Sequence, residues 1–364
     1  MSEVQHMLDL PVLSPETFLN LFFPEFLTKK PKEMRPVMIW GQPGIGKSDI
    51  VKELAAKLQE KTNKVVLIHD VRLSLYTPID LIGIPCPDEN REYTVYLRPE
   101  MFKMDDSPNV INILFFDEIT NATPSTAASC YQIILDRKIA THQLPDNCYV
   151  LCAGNRTIDR SGVYKMLKPL ANRMSHVELV TSLNDWKKWA YRQKDFDSRV
   201  IAFLNYRPNL LCVYDPSSDY VAFPTPRSWE SVARRSYNRN IFEIVNLIAS
   251  DIGTSVANEF LSFSRLYDQL PVLKDIENGK GCTTPSEPDV MYALCGAIVN
   301  RISEIDKQDI QKVENLLEYL MKFPVEYQFI AMSDIRRNAK AFLKAALCQN
   351  FILWSNRNKQ YLED

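Results

Sequence analysis

Eight consecutive residues have the types and spacing to do chemistry: Gly41-Gln42-Pro43-Gly44-Ile45-Gly46-Lys47-Ser48. They fit the pattern G-x-x-x-x-G-K-[ST]. Glycines let backbone N–H groups curl around phosphate oxygens without Cβ clashes. A helix opening here would add the positive end of its dipole. From that position Lys47 reaches β- and γ-phosphates, and the Ser48 hydroxyl can ligate Mg²⁺. A glycine turn capping a buried strand is the plainer alternative. Three of the chain's ten glycines fall in these eight residues, which favours a nucleoside triphosphate site.

A second group of chemical residues closes the apolar run Ile111-Asn112-Ile113-Leu114-Phe115-Phe116, which ends in Asp117-Glu118. In an α/β sheet the C-terminal strand ends form the ligand crevice. Asp117 placed there can hold Mg²⁺ through water, and Glu118 can polarise an attacking water. A third apolar run, Cys148 to Ala153, ends at Gly154-Asn155-Arg156. The Asn155 amide would then lie between the first two groups, able to hold the γ-phosphate or the water. Acid pairs at strand ends are commonly just solvated turns, but the phosphate loop upstream argues against that here.

The elements that must position these residues follow from periodicity. Val37-Met38-Ile39-Trp40 reads as the strand before the loop, and Ile50, Val51, Leu54, Ala55 and Leu58 recur at helical spacing after it. Val65-Val66-Leu67-Ile68 reads as the next strand, and Thr77-Pro78-Ile79-Asp80-Leu81 opens a short helix or turn. Pro85–Asn90 is a turn-rich link into Tyr93–Leu97, which alternates as a hairpin strand does. A helix is expected from Pro124 to Asp136, a helix-like segment over Lys165–Met174, and a last strand at His176–Leu179. Five strands alternating with helices make a doubly wound nucleotide domain. Ser14-Pro15-Glu16 begins a helix ahead of it, carrying Phe18, Leu19, Leu21 and Phe22. From about residue 185 the pattern is helical, broken by the loop Asp215–Pro226 and the polar link Gly279–Glu287. Arg227 follows Thr225-Pro226, which sets it at a helix start, where an arginine is ordinarily solvated or capping.

Composition excludes several classes. A chain of 364 residues with 46% hydrophobic and 24% charged residues is an ordinary globular protein of two or three domains. Net charge near −2 gives no global basic footprint for nucleic acid. No apolar run is long enough to span a bilayer, and Met1–Leu10 lacks a signal-peptide pattern. The eight cysteines form no C-x-x-C pair and the four histidines are dispersed. Reduced thiols in a cytoplasmic protein are therefore expected, with no metal cluster.

Taken in order, these motifs resemble an AAA+ ATPase of the MoxR-like group, the branch with a helix-2 insert. Gly41–Ser48 is similar to Walker A, and Phe115-Phe116-Asp117-Glu118-Ile119 to Walker B. Asn155 matches sensor 1, Arg173 the arginine-finger position and Arg227, in Thr-Pro-Arg-Ser-Trp, the sensor 2 position. The group usually carries Asp-Arg-Phe at the finger, where this chain has Asn172-Arg173-Met174. Thr77–Pro85 resembles the helix-2 region, which assigns the hairpin near 85–98 to the insert. The likeness covers about 40–310. It implies a helical lead-in (1–36), a nucleotide domain (37–184), a helical lid (185–278) and a C-terminal helical extension (279–364). It also implies ATP and Mg²⁺ as cofactors, a hexameric ring, a protein client to remodel, and a partner bearing a von Willebrand factor A domain. A motor or loader acting on nucleic acid is the competing expectation. It would need a basic, aromatic groove. Only Arg91, Tyr93, Tyr96 and Arg98 offer one, and Asp88, Glu89 and Glu92 sit beside them.

Overall fold

The structure is a computed structural model that describes residues 9–159, 162–268, 270 and 273–361. These fall into two compact units, one running to Thr181 and including Asp215–Ser218, the other made of Ser182–Tyr214 and Asp219 onward.

The first unit is built on a parallel sheet. Its elements are β1 (Val12–Leu13), α1 (Pro15–Thr28), β2 (Val37–Trp40), α2 (Lys47–Thr62), β3 (Val65–Arg72) and α3 (Pro78–Ile82). Then come β4 (Ile84–Pro87), β5 (Thr94–Leu97), β6 (Val110–Asp117) and α4 (Pro124–Asp136). They are followed by β7 (Lys138–Ile139), β8 (His142–Gln143), β9 (Cys148–Gly154), α5 (Lys168–Ala171) and β10 (Ser175–Leu179). The main sheet has the order β1-β10-β2-β9-β6-β3. Strands β3, β6 and β9 step back towards β2, and the chain then crosses to β10 on its other side. The switch in direction at β2 opens a crevice beyond its C-terminal end.

The sheet has six strands, not the five expected from sequence. The extra one, β1, pairs Val12 and Leu13 with Glu178 and Leu179 of β10. Two residues are too short to show a period of two, so this edge strand was invisible inside the helical lead-in. The helix expected over Lys165–Met174 contracts to Lys168–Ala171. Pro169 has no N–H and fits only a first turn. After it, Arg173 and Met174 donate to Leu170 and Ala171, three residues back, so the last turn is tight and ends there.

All eight residues of β6 are buried, as suits a strand covered on both faces. Leu114 and Phe116 join Met38, Leu81, Phe102 and Ile133 in one core beneath α3 and α4. The alternate residues Ile113 and Phe115, also buried, point to the opposite face. The small hairpin β4–β5 pairs Ile84 with Leu97 and Cys86 with Val95. Its base is tied to the neighbouring hairpin by a 2.7 Å bond between His142 Nε2 and the Tyr96 carbonyl.

The second unit is helical: α6 (Leu183–Ala190), α7 (Ser198–Tyr206), α8 (Pro226–Ser236), α9 (Ile241–Ile252), α10 (Thr254–Asp268) and α11 (Leu273–Glu277). After these come α12 (Pro288–Glu304), α13 (Ile310–Leu320), α14 (Val325–Arg337), α15 (Ala339–Ala345) and α16 (Gln349–Arg357). Phe203, Trp229, Phe260 and Phe263 centre one core, and Leu294, Ile298, Leu316 and Ile335 another. A buried polar cluster joins α6, α7 and α14. Lys187 Nζ lies 2.6 Å from Asp334 and donates to Asn205 at 2.8 Å, while Asn205 donates to Asp334 at 2.7 Å. Among the described residues no helix is long and apolar enough to cross a membrane.

Candidate nucleotide-binding site

The chain leaves β2 into a loop that favours glycine at positions 41, 44 and 46. A Cβ on Gly41 would lie 2.3 Å from Ile45 Cδ1 and 2.9 Å from the Leu179 carbonyl oxygen. Gly46 has φ +97°, a left-handed conformation that costs L-residues energy. Gly46 is also the N-cap of α2 and brings no side chain to cap it. The first N–H groups of α2 thus face the loop at the positive end of the helix dipole, the arrangement that binds phosphate.

Lys47 folds back over this loop. Its ammonium donates to the carbonyls of Gly41 (2.8 Å) and Gln42 (2.9 Å) and to Asn155 Oδ1 (2.9 Å). Ser48 Oγ donates to Asp117 Oδ2 at 2.6 Å. Asp117 is 7% exposed, and its other oxygen accepts the Glu118 N–H at 2.9 Å. Parallel register explains the convergence: β2, β9 and β6 are adjacent, so their C-terminal ends deliver Gly41, Asn155 and Asp117 to one edge. Glu118 has φ +54°. That turn swings its carboxylate away from the strand, where Oε2 accepts from Ser74 Oγ at 2.7 Å. A non-glycine residue in this region costs on the order of 1 kcal/mol.

Several contributors escaped the sequence reading. Thr120 clamps Asn155 through both backbone groups: its Oγ1 accepts the Asn155 N–H at 3.0 Å and donates to the Asn155 carbonyl at 3.3 Å. Asn155 Nδ2 reaches Asn121 Oδ1 at 3.4 Å. Thr120 and Asn121 directly follow the acid pair, so their position was a readable signal. Ser74 was not readable, because it meets Glu118 only through the register of β3 on β6, where Arg72 sits opposite Asp117. Asp70 on β3 titrates above its ordinary value of 3.8, chiefly from burial and then from the charge of Asp117. Arg156, next to Asn155, is buried in ion pairs to Glu178 (2.5 Å) and Asp159 (2.7 Å) that pin this loop to β10.

Arg173 is not brought to the loop. It lies before β10, whose first residue pairs with the first residue of β2, so it sits at the N-terminal edge of the sheet. The four residues of β2 put roughly 13 Å between the two edges. The Arg35 guanidinium donates to the carbonyls of Asn172 and Arg173, holding that chain end. Together with Lys32, Arg35 and Arg137, Arg173 borders a cavity of 310 Å³. Arg227 belongs to the other unit, where it is exposed in the first turn of α8 behind a Thr225–Ser228 capping box.

Residues 36–175 match the sequence profile of a family described as "ATPase family associated with various cellular activities (AAA)". This segment has the α/β P-loop fold of AAA+ ATPase domains. The AAA+ family binds nucleotide such as ATP, and its membership implies ATP hydrolysis. No curated protein matches the sequence. Solved structures that the chain matches include the P216G mutant of RuvB from Thermotoga maritima. It is 15% identical with a TM-score of 0.36, over 73% of this chain and 78% of that one. PCH-2 from C. elegans is 13% identical with a TM-score of 0.33, over 84% of this chain and 68% of that one. The ORC2 protein of Aeropyrum pernix is 13% identical with a TM-score of 0.36, over 89% and 84%.

Proposed function

We propose that the chain is a Mg²⁺-dependent ATPase of the MoxR-like branch of AAA+ proteins, acting as a hexameric ring that remodels protein complexes. The observation that carries the proposal is the meeting of Lys47, Ser48, Asp117, Glu118 and Asn155 at one sheet edge. The loop N–H groups and Lys47 hold the phosphates. Ser48 Oγ and the Asp117 carboxylate, side by side, are the hard oxygen donors that Mg²⁺ prefers. No group of three or more His, Cys, Asp or Glu residues suited to a metal occurs among the described residues. That fits an ion completed by water and phosphate oxygens. Ser48 and Asp117 would hold the ion there, where it would neutralise charge that develops on the phosphates. Glu118 polarises the attacking water, and Asn155, fixed by Thr120, orients it or the γ-phosphate.

The MoxR-like assignment gives Arg173 the finger role, and its place at the opposite edge is compatible with action on the γ-phosphate of a neighbouring subunit in a ring. The MoxR-like assignment gives Arg227 the sensor 2 role, residues 185–278 the role of a lid and residues 279–364 that of an extension. A protein client is favoured over nucleic acid by the insert hairpin. Ile84 and Leu97, paired across its strands, are 62% and 59% exposed. Such a face suits apolar side chains better than a phosphate backbone. A partner with a von Willebrand factor A domain and a cytoplasmic location follow from the MoxR-like assignment alone.

Mixing tests the ring. Arg173→Ala should bind ATP almost normally yet hydrolyse it about 10³-fold more slowly. Adding inactive Lys47→Ala protein should restore part of the rate, and wild-type turnover per subunit should rise with protein concentration. A monomer with concentration-independent turnover and an inactive mixture would overturn the ring.

A further inference from the structure

The last two helices of the chain carry a surface that neither the fold nor the ATPase site uses. Residues 335–361 contain six cations and no Asp or Glu, although the whole chain has net charge −2. The next acids are Glu363 and Asp364, which lie outside the described residues. Two of the six cations serve the fold. Lys344 Nζ donates to the carbonyls of Ile302 (3.1 Å) and Ser303 (2.8 Å), and Arg337 lies 3.4 Å from Asp334. Lys340, Arg357 and Lys359 are exposed.

Apolar side chains are exposed among these cations. Leu343 is 56% exposed, Leu347 64%, Ile352 45% and Leu353 44%. They are not there because the helices lack a core. The inner faces of α15 and α16 already bury Ala341, Ala345, Phe351 and Trp354. The start of α16 is fixed by the Asn350 N–H donating to Glu314 at 3.0 Å. Phe342 stands edge-on to Phe351, with centroids 6.0 Å apart, and joins the two helices. The outer stripe of α16 runs Gln349, Ile352, Leu353, Asn356, Arg357, the i, i+3, i+4, i+7, i+8 spacing of one helix face. Exposed apolar residues set among polar ones on an already packed pair of helices point to an interaction site.

We propose that the outer face of α15 and α16 docks an acidic amphipathic segment of a partner protein, its apolar side chains on Leu343, Leu347, Ile352 and Leu353 and its carboxylates on Lys340 and Arg357. The charge selects the sign of the partner. The amides of Gln349 and Asn356 select a peptide over a bilayer, since they sit in the same stripe and are poor groups to press into hydrocarbon.

The test is selection from displayed random peptides of about 16 residues, a length of roughly four helical turns, on the full chain. Selection against Leu343→Ser/Leu347→Ser protein runs in parallel. The expected result is enrichment, on the wild type only, of peptides with Asp or Glu and apolar residues at i, i+3 and i+4. A synthesised winner should bind Lys340→Glu/Arg357→Glu protein at least about tenfold more weakly, with ATP turnover of both double variants unchanged. Lack of enrichment, or enrichment of peptides without acidic residues, overturns the proposal. So does wild-type binding to phosphatidylserine vesicles that the variants lose, which assigns the face to lipid. Self-association that the variants abolish, with no peptide bound, assigns it to a second copy and likewise overturns it.

Discussion

Two lysines of this chain sit in polar clusters of opposite purpose. Lys187, 4% exposed, faces the Asp334 carboxylate at 2.6 Å inside the helical unit. Burial pulls its pKa below the usual lysine value and Asp334 offsets only part of this, but a carboxylate faces the ammonium where it stands. Lys47, half-buried at the edge of the α/β unit, donates to three uncharged oxygens, two backbone carbonyls and an amide. These three bonds hold the ammonium group over the loop. A phosphate can displace them and gain a charge-assisted bond. The first cluster ties three helices together; the second holds Lys47 over the loop.

The largest effect should come from breaking the closed cluster. Lys187→Ala leaves Asp334 buried with Asn205 and Arg337, and should cost about 3–5 kcal/mol of stability in denaturant unfolding. Replacing both partners, Lys187→Met with Asp334→Leu, should recover most of that loss. Equal losses in the single and double variants would show that the cluster is not acting as a charge pair.

Lys47→Ala should do the reverse. Its unfolding free energy without nucleotide should change by less than about 1 kcal/mol. ATP affinity, read by calorimetry, should fall about 100-fold or more, the worth of about 3 kcal/mol of bonds to a charged group. A large stability loss with unchanged ATP affinity would make Lys47 a structural lysine like Lys187.

A smaller effect is expected at Ser74. Its 2.7 Å bond holds the Glu118 carboxylate aside. Ser74→Ala removes an interaction of about 1 kcal/mol and should raise ATP turnover by roughly two- to fivefold. A fall in turnover would mean that this bond aims Glu118 rather than restrains it.

The same contrast explains what the sequence could convey. The phosphate loop, the Asp117-Glu118 pair and Asn155 were legible because each motif is contiguous and ends or follows a strongly apolar strand. The fold class was legible for the same reason, as strands and helices alternate with clear periods. Ser74, Arg35 and Arg156 were not, since their partners come from strand register or from loops far away in sequence. Lys187 and Asp334 gave no signal at all: each lies on a different amphipathic helix and reads as a surface charge until the helices pack. The sixth strand and the short α5 were missed because two residues carry no period and because a proline fixed where a helix could begin.

Single-turnover hydrolysis by Glu118→Gln, with ATP binding measured on the same protein, tests the central claim most directly. The amide keeps the shape and the bond from Ser74 but cannot polarise water. ATP should bind as tightly as to the wild type, while the hydrolysis rate falls at least about 100-fold. Wild-type hydrolysis in that variant would contradict the assignment of this sheet edge as the catalytic centre.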